Sequence, residues 1–508
     1  MRNTLLSVTF LAVTLLGCGL AQLVPANPAP TEPPVTPTLP AEAPAFRPAD
    51  CPFAPTGSDA RIDCGWLTVP ENRSRADSPT IELAVAILRP AEPPALPDPV
   101  IYLEGGPGGS ALVSLSSDID GWRTYPFHQN RDVIFIDQRG TGYSRPSLDC
   151  PEYFDESLAN PDAACQRRLR AEGIDLAAYN TAENAADIAA LRRALGYSQV
   201  NLLGVSYGTR LALAVMRDHP DGLRSVVLDS PFPPAVDFAA DSALAHVRAL
   251  RLLFATCAAT PDCAAAYPNL EALFFDTVTA WNDHPGQFDT GQFYGDDLAD
   301  TLIEALYLDY LIPYLPRTIA EVANGDFSTY NYVFDEAFAY LEEPPVDGAE
   351  PDRSDSEGMY NSVICHDEYA FSDEPAIETV FAAQVPPSLQ PLLQGTTAGM
   401  FDLCHMWGAG KADPRENEPV SSDVPTLILT GQFDPITPPD WGRAAAKTLS
   451  HAYLFELPGF GHSVTSTTGC PDELLAEFLA NPAAAPAGGC VAQLPAIDFV
   501  LPDEPLEY

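Results

Sequence analysis

The chain has 508 residues, 46% of them hydrophobic, and carries 26 Lys and Arg against 70 Asp and Glu, a formal net charge of −44. That length exceeds one compact core, so two domains or one core with a large insertion are expected. A surface this acidic repels nucleic acid and anionic headgroups, which excludes both as partners and fits a strongly solvated, exported protein.

The N-terminus agrees with export. Met1-Arg2-Asn3-Thr4 holds one positive charge, Leu5 to Leu16 is a short apolar run, and Leu15-Leu16-Gly17-Cys18 follows. This resembles a bacterial lipobox, so residues 1–18 are read as a lipoprotein signal peptide, with Cys18 the lipidated first residue of a cell-membrane lipoprotein. The alternative is an uncleaved transmembrane anchor, since Leu5 to Val24 is 20 residues without a charge. Either way the folded part lies outside the cytoplasm. Residues 19–48 are rich in Pro, Ala, Thr and Glu and read as a disordered, extended linker, with folded structure expected from near Cys51.

Eleven cysteines less Cys18 leave ten, an even number in a chain that meets oxidising conditions. They fall as neighbours, and sequential pairing is expected: Cys51 with Cys64, Cys150 with Cys165, Cys257 with Cys263, Cys365 with Cys404, Cys470 with Cys490. Zinc is the competing reading, suggested only by Cys365-His366 and Cys404-His405.

Ile62 to Pro70 and Thr80 to Arg89 read as early strands. Pro99 to Leu103 is an apolar strand that ends in Glu104-Gly-Gly-Pro-Gly-Gly-Ser110. A phosphate loop would need a following Lys-Ser or Lys-Thr, which is missing; exposed backbone N–H groups after a strand suit an oxyanion hole instead. Arg131 to Asp137 is the next buried strand and leads into Gln138-Arg-Gly-Thr-Gly-Tyr-Ser144. Asn180 can cap a helix that runs to about Leu195 and stops at Gly196, with Glu183 at the capping-box position.

Gln199 to Leu203 reads as a strand, and Thr209 to Arg217 repeats apolar residues at helical spacing; between them stands Gly204-Val-Ser206-Tyr-Gly208. Gly-x-Ser-x-Gly on a strand–turn–helix is a nucleophile elbow, in which a strained turn lifts the serine hydroxyl clear of the sheet. Leu223 to Asp229 is one more strand. Alternating strands and helices mean an α/β fold with a mostly parallel sheet flanked by helices.

The texture then changes. Residues 233–415 read as a large helical lid, with Ala240 to Thr256, Leu270 to Trp281 and Asp297 to Leu308 as helices and no strand pattern. The core is therefore split into residues 49–232 and 416–508. In the second part Val424 to Thr430 is a strand ending at Gly431-Gln-Phe-Asp434, His451 to Leu457 is another, ending at Pro458-Gly-Phe-Gly-His462, and Asp472 to Leu479 is a short helix.

Ser206, Asp434 and His462 thus follow in the chain order of an α/β-hydrolase triad, each just beyond the carboxyl end of a strand. A serine hydroxyl is a weak nucleophile until a base takes its proton; His462 is that base, and Asp434 the acid that orients it. The N–H groups of Gly106 and Tyr207 are the expected oxyanion donors. No metal or cofactor is called for.

Glu104 to Ser110, Asp137 to Ser144 and Gly204 to Gly208 together resemble the α/β-hydrolase serine peptidases that include proline iminopeptidases and bacterial tripeptidyl aminopeptidases. Gly431 to Pro438, Gly459 to His462 and Ile364-Cys365-His366-Asp367 are similar to the tripeptidyl-aminopeptidase branch. Glu104 departs from the His of proline iminopeptidases. The resemblance spans about Cys51 to Cys490 and implies an aminopeptidase, with release of tripeptides as the finer expectation, acting through an acyl-enzyme on Ser206. An aminopeptidase must hold a free α-ammonium, for which Asp367, Glu368 and Glu104 are the candidate carboxylates. The alternative is an esterase or amidase acting on small acyl substrates.

Overall fold

The computed structural model describes residues 45–54, 60–90, 93–155, 157–288, 291–339 and 352–505. The signal peptide, Cys18 and the linker up to residue 44 lie outside the described residues.

Strands Ala45–Ala49 (β1), Ile62–Pro70 (β2), Thr80–Leu88 (β3), Val100–Leu103 (β4), Val133–Ile136 (β5), Val200–Val205 (β6), Leu223–Asp229 (β7), Gly286–Phe288 (β8), Gly291–Phe293 (β9), Thr426–Gly431 (β10) and Ala452–Leu457 (β11) occur in this order. Nine form one sheet in the order β1-β2-β3-β5-β4-β6-β7-β10-β11. Pairing is antiparallel from β1 to β5 and parallel from β5 to β11.

β4, β5, β6 and β10 are buried at every position. Helices therefore cover both faces, which is why these strands are continuous apolar runs in the sequence. The strand period of two divides them between two cores: Val100, Tyr102, Leu427 and Leu429 face one, Ile101, Leu103 and Ile428 the other. Each such fully buried aliphatic side chain contributes about 1.5–3 kcal/mol.

Three expectations need correction. The stretch read as linker contains β1, because Phe46 lies over Gly65 and the chain pairs with β2; Pro48, which has no N–H to donate, is tolerated on this edge. The helix Thr181–Leu195 is capped by Asn180, whose side chain accepts from the Glu183 N–H, and stops at Gly196 in the left-handed region. Glu183, however, turns outward to Arg73, accepting its backbone N–H at 2.8 Å and its guanidinium at 2.6 Å. The cation outcompetes the helix's own N–H groups, so no reciprocal capping box forms. The insertion also contains strands, the short hairpin of β8 with β9.

The insertion joins β7 to β10 and runs from helix Phe238–Ala259 to helix Gln390–Trp407. It has its own apolar core, built from Leu250, Phe254, Phe274, Leu302, Ile319 and Phe381 among others. The end of the chain returns to this lid rather than to the sheet. Phe499 is buried in the lid core, and Val500 N–H donates to Pro313 O at 3.1 Å while Tyr267 Oη donates to Val500 O at 2.6 Å. Five disulfides join Cys51–Cys64, Cys150–Cys165, Cys257–Cys263, Cys365–Cys404 and Cys470–Cys490.

Candidate active site

The elbow follows from two close approaches. A Cβ on Gly204 would stand 2.3 Å from Gly208 O, and one on Gly208 would stand 2.0 Å from Leu103 O. Only glycine fits either place, so strand and helix meet tightly and force Ser206 to φ 53°. A serine held there costs on the order of 1–3 kcal/mol and persists only if its surroundings over-determine it. They do: Ser206 N–H donates to Asp229 O at 3.0 Å, and its carbonyl accepts from Thr209 N at 2.9 Å and Thr209 Oγ1 at 2.5 Å. Tyr207 opens the following helix, so its N–H lies at a helix N-terminus, where negative charge is favoured.

The loops that carry Asp434 and His462, which follow β10 and β11, meet. Asp434 Oδ2 lies 2.8 Å from His462 Nδ1. Asp434 is fully buried, and its carboxylate accepts from Ile436 N at 3.0 Å, Thr437 N at 2.8 Å and Thr437 Oγ1 at 2.7 Å. These bonds leave Oδ2 facing the imidazole and fix its orientation. Burial by itself lowers the His462 pKa, but the Asp434 charge and hydrogen bond, with Asp229 and Glu304 behind them, outweigh it and raise it above the ordinary value. His462 and Ser206 are each partly exposed.

Asp229, at the end of β7, ties the serine to the histidine. Its carbonyl holds Ser206, while its buried carboxylate accepts from Val464 N at 3.0 Å, Thr465 N at 2.8 Å and Thr465 Oγ1 at 2.5 Å. The next residue adds a second tie, Ser463 N–H to Ser230 Oγ at 2.8 Å.

The glycine-rich loop after β4 packs against this elbow: a Cβ on Gly105 would lie 3.1 Å from Ser206 Cβ. The Asp137-Gln138 pair clamps that loop at both ends. Gln138 Nε2 donates to Glu104 O at 2.9 Å, and Asp137 Oδ1 accepts from Ser110 Oγ at 2.8 Å and Leu112 N at 2.9 Å. Arg139 is buried and anchors the motif, its Nε and Nη2 reaching the two Asp187 oxygens at 2.9 and 3.0 Å. The lid supplies the outer support, with Ser110 N–H donating to Ser354 O at 2.8 Å and Ser356 N–H to Gly108 O at 3.1 Å.

The three candidate ammonium partners fare differently. Asp367 and Glu368 sit in a π-helical turn, Ile364–Tyr369, and are both buried. Asp367 bonds His366 Nδ1 at 2.6 Å and accepts from Thr181 N at 3.0 Å. Glu368 pairs with Arg210 of the elbow helix at 2.6 Å. Both carboxylates are engaged within the protein. Glu104 stays partly exposed beside the oxyanion loop, accepting from Tyr102 Oη at 2.9 Å and Gly105 N at 3.0 Å, and burial raises its pKa. The zinc alternative loses both of its thiols, since Cys365 and Cys404 are joined to each other.

Sequence reasoning passed over Thr437 and Asp229. Thr437 had a local signal, a hydroxyl three residues beyond an acid in a turn. Asp229 had none, because the histidine-loop residues that its carboxylate holds, Val464 and Thr465, lie more than 230 positions away.

Residues 98–302 match the family described as alpha/beta hydrolase fold. The chain has the α/β-hydrolase fold. Residues 390–490, which carry Cys404, Asp434 and His462, match the family described as TAP-like protein. The chain is 24% identical over 474 residues to serine protease Hip1 of Mycobacterium tuberculosis, covering 84% of this chain and 86% of that one. It is 32% identical over 197 residues to tripeptidyl aminopeptidase of Streptomyces lividans, covering 35% of this chain and 36% of that one. Proline iminopeptidase of Mycobacterium smegmatis is a solved structure that covers 82% of this chain and 98% of its own, at TM-score 0.41 and 16% identity.

Proposed function

We propose that this α/β hydrolase is an extracytoplasmic serine exopeptidase that cleaves peptides from a free N-terminus, in the manner of a tripeptidyl aminopeptidase. One observation carries the reading: a serine on a strained elbow, tied through Asp229 to the loop of a histidine whose Nδ1 lies 2.8 Å from a buried aspartate. Relatives that are named serine protease and tripeptidyl aminopeptidase supply the bond class.

In the proposed reaction Ser206 Oγ attacks the scissile carbonyl carbon and its proton passes to His462 Nε2. The oxyanion is received by the N–H groups of Tyr207 and Gly106, worth roughly 10²–10³ in rate per donor. The tetrahedral intermediate collapses, the C–N bond breaks, and His462 gives its proton to the departing amine. Water, deprotonated by the same imidazole, then hydrolyses the ester on Ser206. Glu104 is the proposed partner of the substrate ammonium, supported by its partial exposure next to the oxyanion loop. Five disulfides support an oxidising, extracytoplasmic location, and Cys18 is the proposed lipid anchor to the membrane.

The test uses chromogenic tripeptidyl and aminoacyl amides, their N-blocked twins and simple esters. Turnover confined to free-amine substrates and abolished in Ser206→Ala is expected. Equal turnover of blocked amides, or of esters alone, would replace the peptidase reading with an esterase or amidase.

A further inference from the structure

The lid reaches the triad by a contact that the reaction above does not use. Arg248 lies in the middle of the lid helix Phe238–Ala259, between the buried Val247 and Ala249. Its guanidinium spans the turn that carries the acid: Nη1 donates to Gln432 O at 2.9 Å and Nη2 to Asp434 O at 2.6 Å. Between those two carbonyls Phe433 is fully buried in the lid core. The turn is thus gripped from the lid by one charged fork and one aromatic anchor. On the sheet side it is held by Phe433 N–H to Phe460 O at 2.8 Å and Gln432 N–H to Leu457 O at 3.0 Å.

A guanidinium suits this task because its planar fork meets two acceptors at a fixed spacing, which a lysine ammonium does not. It also brings a positive charge to the backbone of the residue whose carboxylate orients His462. Resting on the triad reading above, we propose that Arg248 is a positioning residue for catalysis: from the lid it fixes the Asp434 turn and sets the charge balance at the Asp434–His462 pair. The other groups at this pair are Asp229 at the end of β7 and Glu304 on the lid helix Gly295–Ala305, both acting on His462, and His246, which faces Asp434 from the same helix as Arg248. Burial lowers the His246 pKa to about 4, so it is neutral across the working range. Asp440, Arg443 and Glu456 lie beyond Arg248. Among these, Arg248 is the fixed cation that touches the acid turn.

The experiment follows the pH profiles of fluorophosphonate labelling at Ser206 and of p-nitrophenyl ester hydrolysis, neither of which depends on the physiological peptide. In Arg248→Ala, kcat falls about 100-fold with KM changed little, the size of effect that a slight misplacement of a catalytic group produces. The acid limb moves to higher pH, because loss of a nearby positive charge favours the imidazolium. Added methylguanidine restores part of the rate. Arg248→Lys keeps the limb in place and loses about three- to tenfold in kcat, since charge survives and the fork does not. If Arg248→Ala fails to fold, Arg248→Lys decides alone. Wild-type kcat in either variant overturns the proposal, as does a fall in Arg248→Ala with the limb unmoved and no rescue, which is the signature of scaffolding only. Ser206→Ala separates the levels. Surviving activity there removes the triad itself, whereas a silent Ser206→Ala beside an unaffected Arg248→Ala removes this inference only.

Discussion

The backbone N–H of His462 donates to the carbonyl of Tyr307 at 2.9 Å, and the two rings meet edge to face with centroids 5.1 Å apart. A residue of the lid therefore holds the proposed base directly. The approach is close enough that a Cβ on the preceding Gly461 would stand 2.4 Å from Tyr307 O and 2.5 Å from Leu306 O. Gly461→Ala must push the histidine loop off the lid. We expect kcat/KM to fall about 100-fold through displacement of the imidazole, with a far smaller change in overall stability. Kinetics alongside thermal unfolding would check this; wild-type kinetics would show that the contact is incidental.

The Asp434–His462 pair sets a pH dependence. As the proposed base His462 works only when neutral, and its pKa is raised because the acidic groups around it outweigh burial. The acid limb of kcat/KM should therefore lie above the ordinary histidine value of about 6.5. Asp434→Asn removes the largest of those raising effects, so the limb should fall, while kcat drops on the order of 10⁴-fold as the imidazole loses its oriented tautomer. In stability terms the raised pKa favours the folded state below about pH 6.5, and that contribution disappears as pH rises through the folded pKa.

Glu104 is the accessible member of the three candidate ammonium partners. Glu104→Gln keeps its shape and its bond from Tyr102 but removes the charge. KM for free-amine amides should rise about tenfold or more, the loss of a charge-assisted hydrogen bond, with N-blocked esters unaffected. An equal effect on both substrate types would assign Glu104 to loop support instead.

Asp137 holds the oxyanion loop through Ser110 and Leu112, and through Tyr143 N its own loop. Asp137→Asn places an amide where an acceptor is needed, so the loop should loosen and kcat should fall about 10²-fold with KM nearly constant. Burial pushes the Asp137 carboxyl up to about 6 from 3.8. The folded state thus holds this proton more tightly, a contribution fully present below about pH 4 and lost as pH rises through about 6. Denaturation midpoints across that window should show a slope that Asp137→Asn removes.

Arg210 and Glu368 join the elbow helix to the lid by a buried ion pair at 2.6 Å. Burial pushes the Glu368 carboxyl up to about 8 in spite of Arg210, while Asp367 also faces that guanidinium. Above that pH Glu368→Leu therefore removes one of two buried charges facing Arg210, at a cost of about 3–5 kcal/mol in urea unfolding. The double variant Arg210→Met with Glu368→Leu should recover most of that loss. A single variant as stable as the wild type would mean that Arg210 finds water or another acceptor.

The sequence by itself determined the frame and picked out the candidate site. β4, β6 and β10 were legible as short apolar runs because both of their faces are buried, and the elbow because Gly204 and Gly208 cannot be anything else at so close an approach. Ser206, Asp434 and His462 could be picked out as candidates because they follow strand ends, where such sheets collect catalytic groups, and that is a local property. The edge strand β1 was not legible: Ala45 to Ala49 is a strand only because β2 offers it a partner. Only the tertiary structure decided what holds the site together. Asp229, Arg248 and Tyr307 act on residues more than 150 positions away, and nothing in their immediate neighbours announces it. It decided too that Asp367 and Glu368, acids in a chain of acids, face His366 and Arg210 rather than a cleft. A side chain's residue type is local, whereas its partner depends on packing across the whole chain, and the lid's part in the site is made almost entirely of such partners.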